Sequence, residues 1–312
     1  MVTPNSRRSF LFGRRAPPSA WGNFCSRLAR TCQGSVRWSE DSADPQAWLV
    51  PAREGDIAHA QALCREYSVT LMLNGLKAPD RSAPRPPLLW LEPGAAWSTC
   101  SSPEASGQLV RADAGCTLAQ VQAQGVTGFN QAPADWSVAH WLASSFSANW
   151  PTGRGDLSVI ERVQVRLSDG TIEVLGPFGA SAQTPLRSMT VQQMVPKLFE
   201  LTGSEQARAC AGAPVWPASL RLDALMPAEG HEANLAHLLA GHGGTLAWVQ
   251  AVWFKAGVAE ALMPVKMAMD TTTESTALAD SAAWLAQQLK KTFDPVGLFP
   301  PLQQTKGIES AT

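Results

Sequence analysis

The stretch VTLMLNGLKAPD, Val69 to Asp80, is apolar up to Asn74-Gly75 and then turns polar. A strand that ends in a glycine-containing turn can bring backbone amides up to a phosphate, so this turn is the first place to look for chemistry. The histidines offer less. His231, His237 and His242 stand six and five residues apart, a spacing that does not place them on one helix face as an i, i+4 metal pair requires, and no metal site is expected. The six cysteines (Cys25, Cys32, Cys64, Cys100, Cys116, Cys210) show no CxxC or other ligand spacing and read as buried thiols of a reducing cytoplasm. There is no Walker A lysine motif, GxGxxG, GxSxG, HExxH or acidic calcium loop. Serine, cysteine and carboxylate nucleophiles are present as residue types, but no spacing singles one out, so the catalytic residues are unknown.

The chain that must position these groups has 312 residues, 45% hydrophobic and 16% charged, enough for one large domain or two modest ones with a real core. Its formal net charge of −1 gives no global field favouring nucleic acid. The one charged patch is the N-terminus, where Arg7, Arg8, Arg14, Arg15, Arg27, Arg30 and Arg37 precede the first carboxylate, Glu40. Within it SRRSFLFGRR is similar to a twin-arginine export motif. The apolar stretch that should follow is replaced by Arg14, Arg15, Pro17 and Pro18, which points to a cytoplasmic protein. No apolar run reaches the roughly 18 to 20 residues of a membrane span.

Residues 1–37 read as a separate basic arm. Ser19 is placed to cap a helix carrying Trp21, Phe24, Cys25, Leu28 and Cys32 on one stripe, with Gly34 as a stop. Such a helix can dock on its own domain, on a partner subunit or on an anionic membrane. Beyond it the pattern predicts a strand ending at Trp48 to Val50, a helix with Ile57, Ala60, Cys64 and Tyr67 on one face, and strands at Thr70 to Leu73 and Leu88 to Leu91. A further strand in GQLVRAD leads to a turn at Ala114-Gly115 and a short helix. VQVRLSDGTIEVL is a hairpin turning at Ser168-Asp169-Gly170. After Gly179, helices at Val191 to Leu201, His231 to Leu239 and Glu274 to Phe293 alternate with strand-like SLRLDAL and Leu246 to Phe254, suggesting a second α+β lobe.

Four stretches carry a family resemblance: LVPAREGDIAHAQALCREYSVTL, LVRADAGCTLAQVQ, GFNQAPADWSVAHWLASSFSANWPTGRGDL and VQVRLSDGTIEVLGPFG, with a fifth echo in LKKTFDPVGLFPP. Their order resembles the FAD-binding PCMH-type domain of the vanillyl-alcohol oxidase and p-cresol methylhydroxylase superfamily, and within it the FAD-binding subunits of bacterial glycolate oxidases. The resemblance implies an α+β fold: a two-part FAD-binding PCMH-type domain at 38–179 and a smaller α+β cap or substrate lobe at 180–312. It implies FAD lying extended between the two halves of the domain, with glycine turns on its pyrophosphate. The positions that match are Asn74, Gly75, Lys77, Gly115, Thr117, Ser137 and Gly155, offering amides, a hydroxyl or a charge.

The sequence also departs from the family at decisive points. A loop of about three glycines is reduced to Asn74-Gly75-Leu76-Lys77, a Gly-Gly pair is Ala139-His140, an Arg-Asp pair is lost at Ser158 to Glu161, and an Asn-Pro-Gly is Phe299-Pro300-Pro301. Gly75 and Gly115 read equally well as turn glycines, and His140 reads as a core histidine. Trp136, Trp141 and Trp150 are placed to pack between lobes at least as readily as to line a flavin. Two functions follow from the resemblance. One is an FAD-linked oxidoreductase component that oxidises a small 2-hydroxy acid and passes electrons to a partner subunit. The other is a non-catalytic subunit that keeps the flavoprotein fold and has weakened or lost FAD binding.

Overall fold

The computed structural model describes residues 19–39, 44–78, 85–101, 109–129, 132–179, 182, 185–256 and 275–302. The twin-arginine-like segment lies outside the described residues. The chain is α+β, built on two four-stranded sheets.

The first sheet contains β1 (Ser35–Trp38), β2 (Gln46–Val50), β3 (Thr70–Leu73) and β4 (Leu88–Leu91) in the order β1-β2-β4-β3. The predicted β-α-β unit forms through α2 (Glu54–Tyr67), but its two strands are not neighbours, because β4 lies parallel between them with Gln46 and Thr70 both opposite Leu88. Every residue of β3 and β4 is buried, as expected of parallel strands covered on both faces. The period of two divides them: Leu71, Leu73, Leu89 and Leu91 join the core under α2, while Met72, Leu88 and Trp90 form a small cluster on the opposite face.

The basic arm's helix, α1 (Ala20–Thr31), begins at Ser19, whose Oγ accepts from Gly22 N at 3.0 Å. Phe24, Cys25 and Leu28 are buried against the α2 core, and Arg27 pairs with Glu66 and donates to Tyr67 Oη at 3.1 Å. The helix thus docks on its own domain. Asp56 ties the corner together, its carboxylate accepting from Gln33 N (3.0 Å), Gly34 N (2.9 Å) and Ala52 N (2.9 Å).

The second sheet is antiparallel, in the order β5 (Leu109–Asp113), β10 (Trp248–Lys255), β6 (Ile160–Arg166), β7 (Ile172–Leu175). The hairpin predicted around Ser168 to Gly170 is β6–β7, with Arg166 opposite Ile172. Helices α5 (Met189–Thr202), α6 (Glu205–Ala211) and α7 (Ser275–Phe293) contribute Val191, Leu198, Cys210, Leu285 and Phe293 to its core.

One strand of this sheet crosses the division expected at residue 179. β10 comes from the segment assigned to a separate lobe, yet it is the strand that joins β5 to β6, with Ala251 opposite Asp113 and Val252 opposite Val163. Among the described residues the region after 179 has no sheet of its own, since β9 (Ala233–Asn234) pairs with β8 (Pro177–Phe178) from before that boundary. Two local expectations also change. SLRLDAL closes in a 3-10 turn at Leu222–Leu225, held by the buried Arg221–Asp223 ion pair at 2.6 Å, and most of His231 to Leu239 is β9 and a 3-10 turn at Leu235–Leu239.

Candidate functional site

The Asn74-Gly75 turn closes β3 at the junction of the two sheets. Asn74 N donates to Leu91 O at 2.7 Å and Asn74 Nδ2 to Glu92 Oε2 at 3.3 Å, while Leu76 N returns to Leu73 O at 3.3 Å. Gly75 has φ +90°, a conformation that favours glycine, so the residue type follows from the turn itself. Among the described residues its amide has no acceptor. Gly75 is exposed, but the side where a Cβ would stand is closed. A Cβ at Gly75 would lie 3.1 Å from His140 Nδ1, so the imidazole rests on the Gly75 α-carbon.

His140 is held there by its helix and by stacking. Helix α4 (Val138–Ala143) is capped by Ser137, and the His140 ring lies flat on Trp136 with centroids 4.2 Å apart and planes at 7°. Burial lowers its pKa against an opposing pull from Asp135, keeping the ring neutral at neutral pH. A helix N-terminus facing an anion must keep its first amides available. In α4 they are used: Val138 N donates to Cys116 O (2.8 Å), Ala139 N to Ala114 O (2.9 Å) and His140 N to Ser137 Oγ (3.2 Å).

The same holds for the next predicted positions. Thr117 caps α3 (Leu118–Gln122) in a reciprocal pair with Gln120, Thr117 N donating to Gln120 Oε1 (2.8 Å) and Thr117 Oγ1 accepting from Gln120 N (3.3 Å). Gly115 is glycine because the chain crosses over it: a Cβ there would be 2.8 Å from Trp97 O, and its amide already donates to that carbonyl at 2.7 Å. The structure therefore brings Asn74, Gly75, Gly115, Thr117 and Ser137 to one junction, joined by the Thr117–Ser137 backbone bridge. Lys77 is exposed just beyond it. Gly155 lies elsewhere, where a Cβ would come 2.6 Å from His237 Nδ1, beside β6. His237 donates from Nε2 to Ile160 O at 2.9 Å, and burial pushes its pKa down to about 4.

The junction itself is filled with side chains. Leu71, Leu73, Ala139, Ala143, Trp248, Leu298 and Phe299 share one core, and the cavity that Leu71, Leu73, Ala139, Trp248 and Phe299 line together with His242 is about 10 Å³, room for a single water. Leu76 packs over Gly244, where a Cβ would meet Leu76 Cδ1 at 2.7 Å. A dinucleotide extended between the halves requires a cleft of several hundred Å³. The space these residues enclose does not hold a dinucleotide. Of the tryptophans, Trp136 carries His140, Trp141 packs on Phe129 and Phe254 in the second core, and Trp150 lies under the Arg221 guanidinium.

The FDP segment has a structural role: Asp294 accepts from Leu298 N and Phe299 N, both at 2.9 Å, and Leu298 O receives Leu71 N at 2.9 Å along the edge of β3. Lys290 binds the turn opposite, donating to Thr245 O at 2.7 Å. That turn, Gly241-His242-Gly243-Gly244 with φ of +70° at Gly241, +60° at Gly243 and +72° at Gly244, was missed by motif and spacing, although three glycines around one histidine are its signal. Among the described residues no group of His, Cys, Asp and Glu is arranged to hold a metal.

No family profile matches the chain, and no curated protein does. Among solved structures the fold is similar to 4-ethylphenol oxidase from Gulosibacter chungangensis in its isoeugenol complex (13% identity, 79% of this chain and 44% of that chain, TM-score 0.46). It is also similar to Physcomitrella patens BBE-like 1 (11% identity, 74% and 44%, TM-score 0.41) and to alkyldihydroxyacetonephosphate synthase (11% identity, 69% and 33%, TM-score 0.39). The chain spans less than half the length of each. At these values the likeness is one of α+β architecture and carries no chemistry with it.

Proposed function

We propose that this chain is a subunit with a fold of the FAD-linked oxidoreductase type that works without a flavin of its own, supporting a partner oxidoreductase subunit. The observation that carries this reading is the His140 imidazole lying on Gly75 while the first three amides of α4 are committed to Ala114, Cys116 and Ser137. The α4 amides that a diphosphate would need there already serve the fold.

The test is the absorption of the purified full-length protein between about 350 and 500 nm, where bound flavin shows two bands. The expected result is a colourless protein that takes up no added FAD, and that co-elutes in gel filtration with a co-expressed oxidoreductase subunit. Stoichiometric FAD would overturn it. The alternative would then stand, in which the chain oxidises a small 2-hydroxy acid itself and passes electrons to the partner.

A further inference from the structure

We propose that Cys100 and Cys116 are an oxidation site, a thiol pair that exchanges with a small-molecule disulfide and closes into a reversible disulfide staple. This goes beyond the subunit reading and does not depend on it. The backbone brings the two residues together. Cys100 forms an antiparallel bridge with Ala112 of β5, flanked by Ser101 N donating to Arg111 O (2.8 Å) and Asp113 N to Thr99 O (2.9 Å). Cys116 N then donates to Asp113 O (3.0 Å), a turn that folds the chain back beside that ladder, and Gly115 N donates to Trp97 O (2.7 Å). Cys100 packs on the core that contains Cys116, and the two thiols are side-chain hydrogen-bond partners.

Access and protonation give the two thiols different tasks. Cys100 is the one thiol of the six that is not buried, so an external disulfide reaches it first. Burial pushes Cys116 up to about 12 and raises Cys100 as well, with Asp113 adding to both. The hydrogen bond between them acts in opposite senses, lowering Cys100 and raising Cys116. Cys116 is therefore the donor, and Cys100 is the thiol that carries the negative charge.

The exchange balances without a further co-reactant. The Cys100 thiolate, its proton given to water, attacks one sulfur of the external disulfide, forming a mixed disulfide and expelling one thiolate. Cys116 passes its proton to water and attacks Cys100 Sγ, forming the protein disulfide and expelling the second thiolate. Two protein thiols are oxidised and one external disulfide is reduced to two thiols. The bond lands on the turn that holds α4, since Cys116 O accepts from Val138 N at 2.8 Å. It ties that turn covalently to the segment around Cys100, restricts the unfolded chain and raises the resistance of the folded one.

The experiment treats the native full-length protein with glutathione disulfide, traps remaining thiols by alkylation and maps the peptides by mass. Expected is the loss of two of the six thiols, a Cys100–Cys116 linked peptide, and a higher denaturant midpoint that dithiothreitol restores. Cys116→Ala should stop at one glutathione held on Cys100, and Cys100→Ser should take up none. Cys32 and Cys64 are also near neighbours but both are buried, so they serve as the internal control and should stay reduced. The proposal is overturned if the native protein keeps all its thiols, if a mixed disulfide persists on Cys100 with Cys116 free, if another pair is linked instead, or if the linked protein unfolds at an unchanged midpoint.

Discussion

At the scale of single residues the decisive contact is between Gly75 and His140. A side chain at Gly75 meets two obstacles, a φ of +90° and the imidazole 3.1 Å from the new Cβ. Gly75→Ala should therefore cost about 1–3 kcal/mol in denaturant unfolding. In a His140→Ala background the same change should cost less, because only the backbone strain remains. Two buried histidines set the pH response. Burial holds His237 at about 4 and His242 at about 3, His237 with Lys255 and Arg221 adding to the effect and His242 with Lys290, whereas both regain ordinary values near 6.5 on unfolding. The unfolded chain then binds protons that the folded chain refuses. Their stabilising contribution is complete above about pH 6.5 and is lost as pH falls, on the order of 3 kcal/mol for His237 by pH 4. Unfolding at pH 7.5, 6 and 5 checks this, and His242→Leu should flatten the slope. Above about pH 5 carboxylates add little, since their unfolded values lie near 4.

At the scale of elements, α1, β1 and α2 meet at Asp56. Burial alone would raise this carboxyl's pKa, but the amides of Gln33, Ala52 and Gly34 outweigh it and hold the group below the usual carboxylate range. Asp56→Ala leaves three amides without their acceptor and should destabilise the protein by about 2–4 kcal/mol, measured by denaturant unfolding. The sequence showed α1 as amphipathic without saying where it docks. Its stripe fixed which face would be buried, and only the placement of α2 supplied Glu66, Tyr67 and the core to receive it. The Ser19 cap was legible for the same local reason, since its hydroxyl satisfies an amide three residues on, whereas the cap at Ser137 emerged with the structure.

At the scale of the molecule, the two sheets share a core at the junction, where Ala114 and Trp248 pack with Leu71 and Leu73, and β10 ties the late part of the chain into the early part. A fragment of residues 38–179 lacks the strand that separates β5 from β6. It should fail to give a cooperative unfolding transition or a dispersed amide spectrum, whereas a self-contained domain would give both.

The sequence by itself determined the elements whose signals are local: the buried strands β3 and β4, the β6–β7 hairpin, the Ser19 cap, and the loss of consecutive glycines after β3. Hydrophobic period and turn chemistry act within a few residues, so they can be read along the chain. Only the tertiary structure decided that β10 crosses the expected boundary, that His140 rests on Gly75, that Gly155 stands apart against His237, and that His242 is buried with no hydrogen-bond partner among the described residues. Each of these joins residues tens of positions apart. Such pairings are set by which surfaces bury one another, and no local pattern encodes them.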